Sequence, residues 1–325
     1  MAFDGAVDGQ GCVPTTEYIP VQLTGAPAHA DGYDEDSNDH RTVDQRRPQR
    51  VPYTAATPPR HHEIASRTAI ELPQGQLPVA PGWNWDNGRM PGEHVRRLGN
   101  MEYGLGQALD IYEPERPRGS VAVLLWHGSG RNERDVMEPL ARSVATTGVR
   151  VIAPDWNTAD GGRGRHHLAA SLAFTCDLAE SMGFVRVVLA GWSLGANAGL
   201  DLVRRCSILG GWRPDAFIGL SGGFDDSPFR EPDPNGMSAH PSVPLLLVHG
   251  SSDEVVPIGR SRSTFESLRL VGWNVVLREV DTDHAGTVGT IYDPLRRRCV
   301  PTSDPGRQAL LTTVAGWIAE LALAD

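Results

Sequence analysis

Ser193, Asp253 and His284 are the residues in this chain whose types and surroundings could carry out chemistry together. Ser193 stands in Gly191-Trp192-Ser193-Leu194-Gly195, a G-x-S-x-G pattern. An apolar run (Val185, Val187, Val188, Leu189) precedes it, and Ala196, Ala198, Leu200, Leu202 and Val203 follow at roughly helical spacing. A serine hydroxyl is a weak nucleophile, so it has to be thrust toward a base, and a strand, a very tight turn and a helix do that. Such a turn strains its backbone and brings neighbouring positions too close for side chains, which Gly191 and Gly195 relieve. The N–H of Leu194 and the start of the following helix then face any negative charge developing on a bound carbonyl. In a chain with 36 glycines the five residues alone mean little; the flanking strand and helix give them weight.

A parallel sheet presents its working residues at the carboxyl ends of its strands. Asp253 lies just after the apolar run Val243–Val248, and His284 just after Asn274–Val280. Glu254, Asp281 and Asp283 are rival acids, but Glu254 neighbours the better-placed Asp253 and the other two share the loop of His284. His127 and His249 precede glycines in tight strand-end loops and read as structural, while His166, His167 and His240 lack a strand-end setting. Trp192 and Trp156, with Trp126, are candidates to line a substrate pocket, although packing beneath the turn is the more natural use for at least one of them. Arg296, Arg297 and Arg298 read as a solvated loop.

The elements that must position these residues alternate along the chain. Strands are predicted at Ala108–Tyr112, Ser120–Trp126, Val149–Ala153, the run before Gly191, Ala216–Leu220, Val243–Val248 and Asn274–Val280. Helices are predicted over Asp135–Ala145, about His167–Met182, the segment after Ser193, Gly259–Val271, and from a Ser303 or Asp304 cap through Pro305 to about Ala322. This alternation makes a mostly parallel sheet with helices on both faces. The segment from Ser221 to Pro241 has many breakers and few periodic apolar residues, which leaves no room for a large cap domain.

Composition narrows the partners. The 325 residues are 40 % hydrophobic, enough for a substantial core, and the formal net charge of -10 disfavours nucleic acid and anionic membrane surfaces. All 30 basic residues are arginine, which excludes lysine-based nucleophiles and bases. Cys12, Cys176, Cys206 and Cys299 are scattered, suggesting neither a zinc site nor a disulfide framework. His61, His62 and Glu63 have no second cluster at matching spacing, so no metal is expected. No run approaches transmembrane length and the amino terminus has no apolar signal core, so a cytoplasmic location without a membrane span is the expectation.

The sequence resembles the α/β-hydrolase superfamily, and within it the compact, capless esterase- and lipase-like members. The likeness rests on His127-Gly128 after a strong strand, on G-x-S-x-G, on HGSSDEVVP around Asp253, on DHAG around His284, and on the chain order Ser, Asp, His. A D-I-Y-x-P strand, Asp110 to Pro114, adds to it. The resemblance implies a hydrolase domain over 98–325. Pro-, Gly- and Asp-rich composition predicts a disordered or poorly ordered leader over 1–97, in which Trp83 and Trp85 are the residues suited to packing on a surface. It further implies a serine carboxylic-ester hydrolase working on a small-molecule ester through an acyl-enzyme, without cofactor. Ser193 would be the nucleophile, His284 the general base and Asp253 its orienting acid. Leu194 and the Gly128-Ser129 loop would form the oxyanion hole, with Ser129 in place of the third residue of an H-G-G-G pattern. A thioesterase or acyltransferase would use the same residues, and a binding protein on this scaffold need not retain all of them.

Overall fold

A computed structural model describes residues 95–104, 106–158, 164–204, 212–229 and 243–324. The leader up to residue 94, with His61, His62, Glu63, Trp83 and Trp85, lies outside them, as do Cys12, Cys206, His240 and residues 230–242.

Eight strands form one sheet in the order β1-β2-β4-β3-β5-β6-β7-β8. They are β1 (Val95–Gly104), β2 (Gln107–Pro114), β3 (Val121–Trp126), β4 (Arg150–Pro154), β5 (Arg186–Trp192), β6 (Ala216–Leu220), β7 (Leu245–Gly250) and β8 (Val275–Val280). β2 runs antiparallel to β1 and β4, and every pairing from β4 to β8 is parallel. The central strands are buried on both faces, as their unbroken apolar runs require. In β3, Ala122, Leu124 and Trp126 face one core while Val121, Val123 and Leu125 face the other.

The helices divide between those two faces. α1 (Glu138–Thr146) and α5 (Pro305–Leu323) cover one; α2 (Arg165–Met182), α3 (Leu194–Arg204) and α4 (Gly259–Leu270) cover the other. α5 starts as expected, with the Asp304 side chain accepting from the Arg307 N–H and Pro305 in the first turn. The predicted Asp135–Ala145 helix divides into a 3-10 turn over Arg134–Met137 and α1, with Pro139 in the first turn of α1, where a missing N–H costs nothing.

Two features differ from the sequence expectation. β1 begins at Val95, inside the stretch assigned to the leader. It has little apolar alternation and is held instead by pairing with β2 and by Arg97, whose guanidinium meets the fully buried Asp110 at 2.7 Å. A small antiparallel hairpin, β9 (Thr290–Asp293) and β10 (Arg298–Pro301), follows the His284 loop. Its turn contains Arg296 and Arg297, and Arg298 opens β10; Arg296 is paired to Asp293 and Arg298 to Asp135.

Asp110 belongs to a larger ionic cluster. Arg134 joins Asp110 (3.0 Å), Asp155 and Asn100 (2.6 Å), while Asp110 also accepts from the Asn100 N–H at 3.0 Å. The Tyr103 hydroxyl donates to the Asp155 carbonyl. The polar strand β1 is thereby tied to the loop after β4 and to the turn before α1. Among the described residues no helix is long and apolar enough to cross a membrane, and no group of three or more His, Cys, Asp or Glu side chains is placed to hold a metal ion.

Candidate active site

Ser193 occupies the turn between β5 and α3 with φ of 54°, a left-handed conformation that costs an L-residue roughly 1–3 kcal/mol and persists only where its surroundings enforce it. The surroundings are explicit. A Cβ on Gly191 would run into the backbone of Gly195 and come within 2.7 Å of the Ala196 nitrogen. One on Gly195 would run into the His127 carbonyl and come within 2.7 Å of that of Trp126. Each glycine of the motif is thus required by a backbone approach, the second one between α3 and the end of β3.

Asp253 and His284 meet at the same end of the sheet. The His284 Nδ1 lies 2.7 Å from Asp253 Oδ2, and both residues are buried. Asp253 Oδ1 accepts from the N–H groups of Val255 and Val256, at 3.0 and 2.8 Å. Burial alone would raise the Asp253 pKa, but hydrogen bonds from His249, His284 and Val256 outweigh it and hold the carboxyl well below the usual range. Of the rival acids, Asp283 is bound by Arg307 of α5, and Glu254 and Asp281 are exposed.

The loop bearing His284 is fastened to the serine turn. Its carbonyl accepts from Trp192 Nε1 and from the Thr287 hydroxyl, each at 3.1 Å, and the Trp192 and His284 rings lie 5.0 Å apart. Thr287 is linked in turn to Ser221 at the end of β6 (3.0 Å).

The loop after β3 reaches the serine from the other side. A Cβ on Gly128 would lie 3.1 Å from that of Ser193 and 2.9 Å from the Trp192 ring. His127, fully buried, anchors this loop. Its Nε2 accepts from the Trp156 and Glu133 N–H groups (3.1 and 3.3 Å), which assigns the remaining proton to Nδ1, facing the Gly128 carbonyl at 2.9 Å. Burial lowers its pKa to about 4, so it stays neutral.

Trp156 and Trp192 are placed differently from the lining role expected of them. Trp156 is fully buried, stacked on His127 at 5.3 Å and donating to its carbonyl at 3.2 Å, and Trp192 is buried against His284. Both indoles spend their N–H groups on the frame. A pocket of about 290 Å³ opens over Ser193, where Ser129 and Leu194 adjoin the serine, Val255 to Pro257 form an apolar wall, and Asp225 and Arg260, paired with each other, stand at the rim. Asn197 also lines it and pins the loop after β6, accepting from the Phe224 N–H and donating to the Asp226 carbonyl. The sequence gives no signal for Asp225 or Arg260, since their meeting depends on where that loop lands. His249, which also contacts Asp253, had a signal in its spacing four residues before the acid.

No protein-family model matches the sequence, and no curated protein matches it. Solved structures do match in fold. A truncated carbohydrate esterase from gut microbiota is 14 % identical, with a TM-score of 0.53 over 73 % of this chain and 100 % of that one. Esterase B from Lactobacillus rhamnosis, inhibited by a tributyrin phosphonate, is 15 % identical, with 0.54 over 73 % and 89 %. An esterase/lipase from an uncultured bacterium is 14 % identical, with 0.53 over 81 % and 97 %. At such identities the likeness is one of architecture. With its second strand reversed in a sheet otherwise parallel from β4 to β8, and a sharp turn from β5 into α3, the chain has the α/β-hydrolase fold.

Proposed function

We propose that the protein is a serine hydrolase of carboxylic esters, with Ser193, His284 and Asp253 as its triad. The observation that carries this reading is the buried His284–Asp253 pair at 2.7 Å, with the His284 loop tied through Trp192 to the strained Ser193 turn. Asp253 Oδ2 accepts the Nδ1 proton, leaving Nε2 of His284 as the basic atom. Ser193 Oγ adds to the ester carbonyl carbon while its proton passes to that nitrogen. The carbonyl oxygen, now an anion, is received by the N–H of Leu194 at the start of α3 and by one from the Gly128-Ser129 loop. Collapse breaks the bond to the alcohol oxygen, which leaves with the proton from His284. Water then attacks the acyl-enzyme, gives its proton to His284 and releases the acid, and Ser193 recovers its hydrogen.

The apolar wall of Val255, Val256 and Pro257 in a pocket of about 290 Å³ favours a small to medium acyl or alkoxy group. The test is covalent labelling of the folded protein with a fluorophosphonate, wild type beside Ser193→Ala, followed by p-nitrophenyl esters of graded chain length. Labelling confined to the serine-containing protein is expected, with the hydrolysis rate falling about 10³-fold or more in the variant. A folded wild type that neither labels nor hydrolyses any ester refutes the reading.

A further inference from the structure

His249 sits at the end of β7 with no solvent exposure, and its ring meets the carboxylate that receives His284. Its Nε2 lies 3.2 Å from Asp253 Oδ2 and 2.8 Å from the Val256 carbonyl, and its Nδ1 lies 2.6 Å from the Ser261 hydroxyl. Two acceptors around Nε2 require a proton on that nitrogen, because an unprotonated one would face two oxygen lone pairs in a buried site. We propose that His249 is a positioning residue for the proposed triad: it donates to the oxygen of Asp253 that His284 uses, and so sets how strongly Asp253 stabilises the His284 imidazolium.

The two histidines share one oxygen atom. Asp253 Oδ2 accepts from His284 at 2.7 Å and from His249 at 3.2 Å, while Oδ1 is occupied by the N–H groups of Val255 and Val256. A carboxylate surrounded by four donors has its negative charge drawn toward all of them, and each additional donor leaves less for the imidazolium. Of the other charged groups nearby, Glu254 and Asp281 are exposed to solvent. Asp283, beside His284, is held by Arg307 of α5, and Glu279 of β8 by Arg262 of α4. His249 also fixes the Val256 carbonyl, and Val256 is part of the pocket wall, so one ring aligns both the acid and that wall.

The idea rests on the esterase reading above, and the test separates the two. In place of a histidine, glutamine carries its N–H near the Nε2 position, asparagine carries its polar atoms near Nδ1, and leucine carries neither. The acid limb of kcat/KM, followed with a p-nitrophenyl ester and with the fluorophosphonate labelling rate, reports protonation of His284 in the free enzyme. His249→Leu and His249→Asn are expected to move that limb up by ~1 pH unit, a tenfold change in proton affinity, while His249→Gln keeps it near the wild-type position. Should His249→Leu fail to fold, the asparagine and glutamine pair carries the comparison. Asparagine and glutamine variants with the same limb, or lower rates with an unmoved limb, overturn the proposal and leave His249 a packing residue. A wild type without labelling or turnover overturns the esterase reading, and this inference with it.

Discussion

Gly195→Ala is the sharpest test of how the Ser193 turn is built, because one methyl group meets backbone on a different element. The added carbon would run into the His127 carbonyl and lie 2.7 Å from that of Trp126. An ordinary carbon–oxygen contact needs at least ~3.3 Å, so the start of α3 and the end of β3 must separate by more than half an ångström. Neither side is a flexible side chain. Overpacking of this kind costs about 1–3 kcal/mol, and two rigid partners place this case near ~3 kcal/mol. In a domain of this size that lowers the melting temperature by roughly 6–12 °C. The rate should suffer more than stability, because the movement separates Leu194 from the Gly128-Ser129 loop, and a misplacement of ~1 Å costs about 10²-fold. Thermal melts beside fluorophosphonate labelling measure both effects. The control is Gly316→Ala, on the exposed side of α5 with nothing within 4 Å of the new carbon, which should stabilise by about 1 kcal/mol through helix propensity. A Gly195→Ala protein that melts within about 2 °C of wild type and labels at an undiminished rate would refute the steric account.

Acidification should weaken the fold through His127. Its folded pKa is lowered to about 4 from the ordinary 6.5, so between those values the unfolded chain binds the extra proton and stability falls as pH falls. At pH 5 the loss from this one residue is about 2 kcal/mol relative to pH 7, read as a lower melting temperature. His127→Gln should flatten that part of the slope, and an unchanged slope would refute the assignment. The ionic cluster on β1 gives a truncation its expected outcome. A chain lacking residues 1–90 should melt within a few degrees of the full protein. One starting at Met101 takes Arg97 and the Asn100 N–H away from the buried Asp110, which keeps Arg134 as its partner, and each hydrogen bond lost from that charge costs roughly 1.5–3 kcal/mol. Equal melting of the two truncations would show that β1 contributes nothing.

The parallel half of the sheet was legible because its strands are buried on both faces and read as unbroken apolar runs; Ala216–Leu220 is observed with the predicted bounds. Asp304 and Pro305 marked the start of α5 for the same local reason that they cap it. β1 was hidden, since Arg96, Arg97, Asn100 and Glu102 resemble a solvated tail until Asp110, folded alongside, supplies the partner. The hairpin of β9 and β10 escaped notice because four-residue strands around an arginine-rich turn carry too short a pattern. Within the site, the meeting of Asp253 with His284 follows from neighbouring strand ends, which sequence order gives. The placement of the tryptophans does not follow: whether an indole lines a pocket or braces a loop is decided by what its N–H can reach, here the carbonyls of His127 and His284.

The order of strands also grades the site by durability. Ser193 leaves an interior strand with neighbours on both sides, whereas His284 follows β8, the outermost strand on its side, where Val276 is exposed. Opening free energies in a native protein run from near zero at its margins to the full unfolding value at its centre. Mild denaturant should therefore loosen the margin that carries His284 while the strand beneath Ser193 keeps its amide protons from exchange. Inactivation and unfolding are then two separate events, and the histidine loop is the first part to wear out.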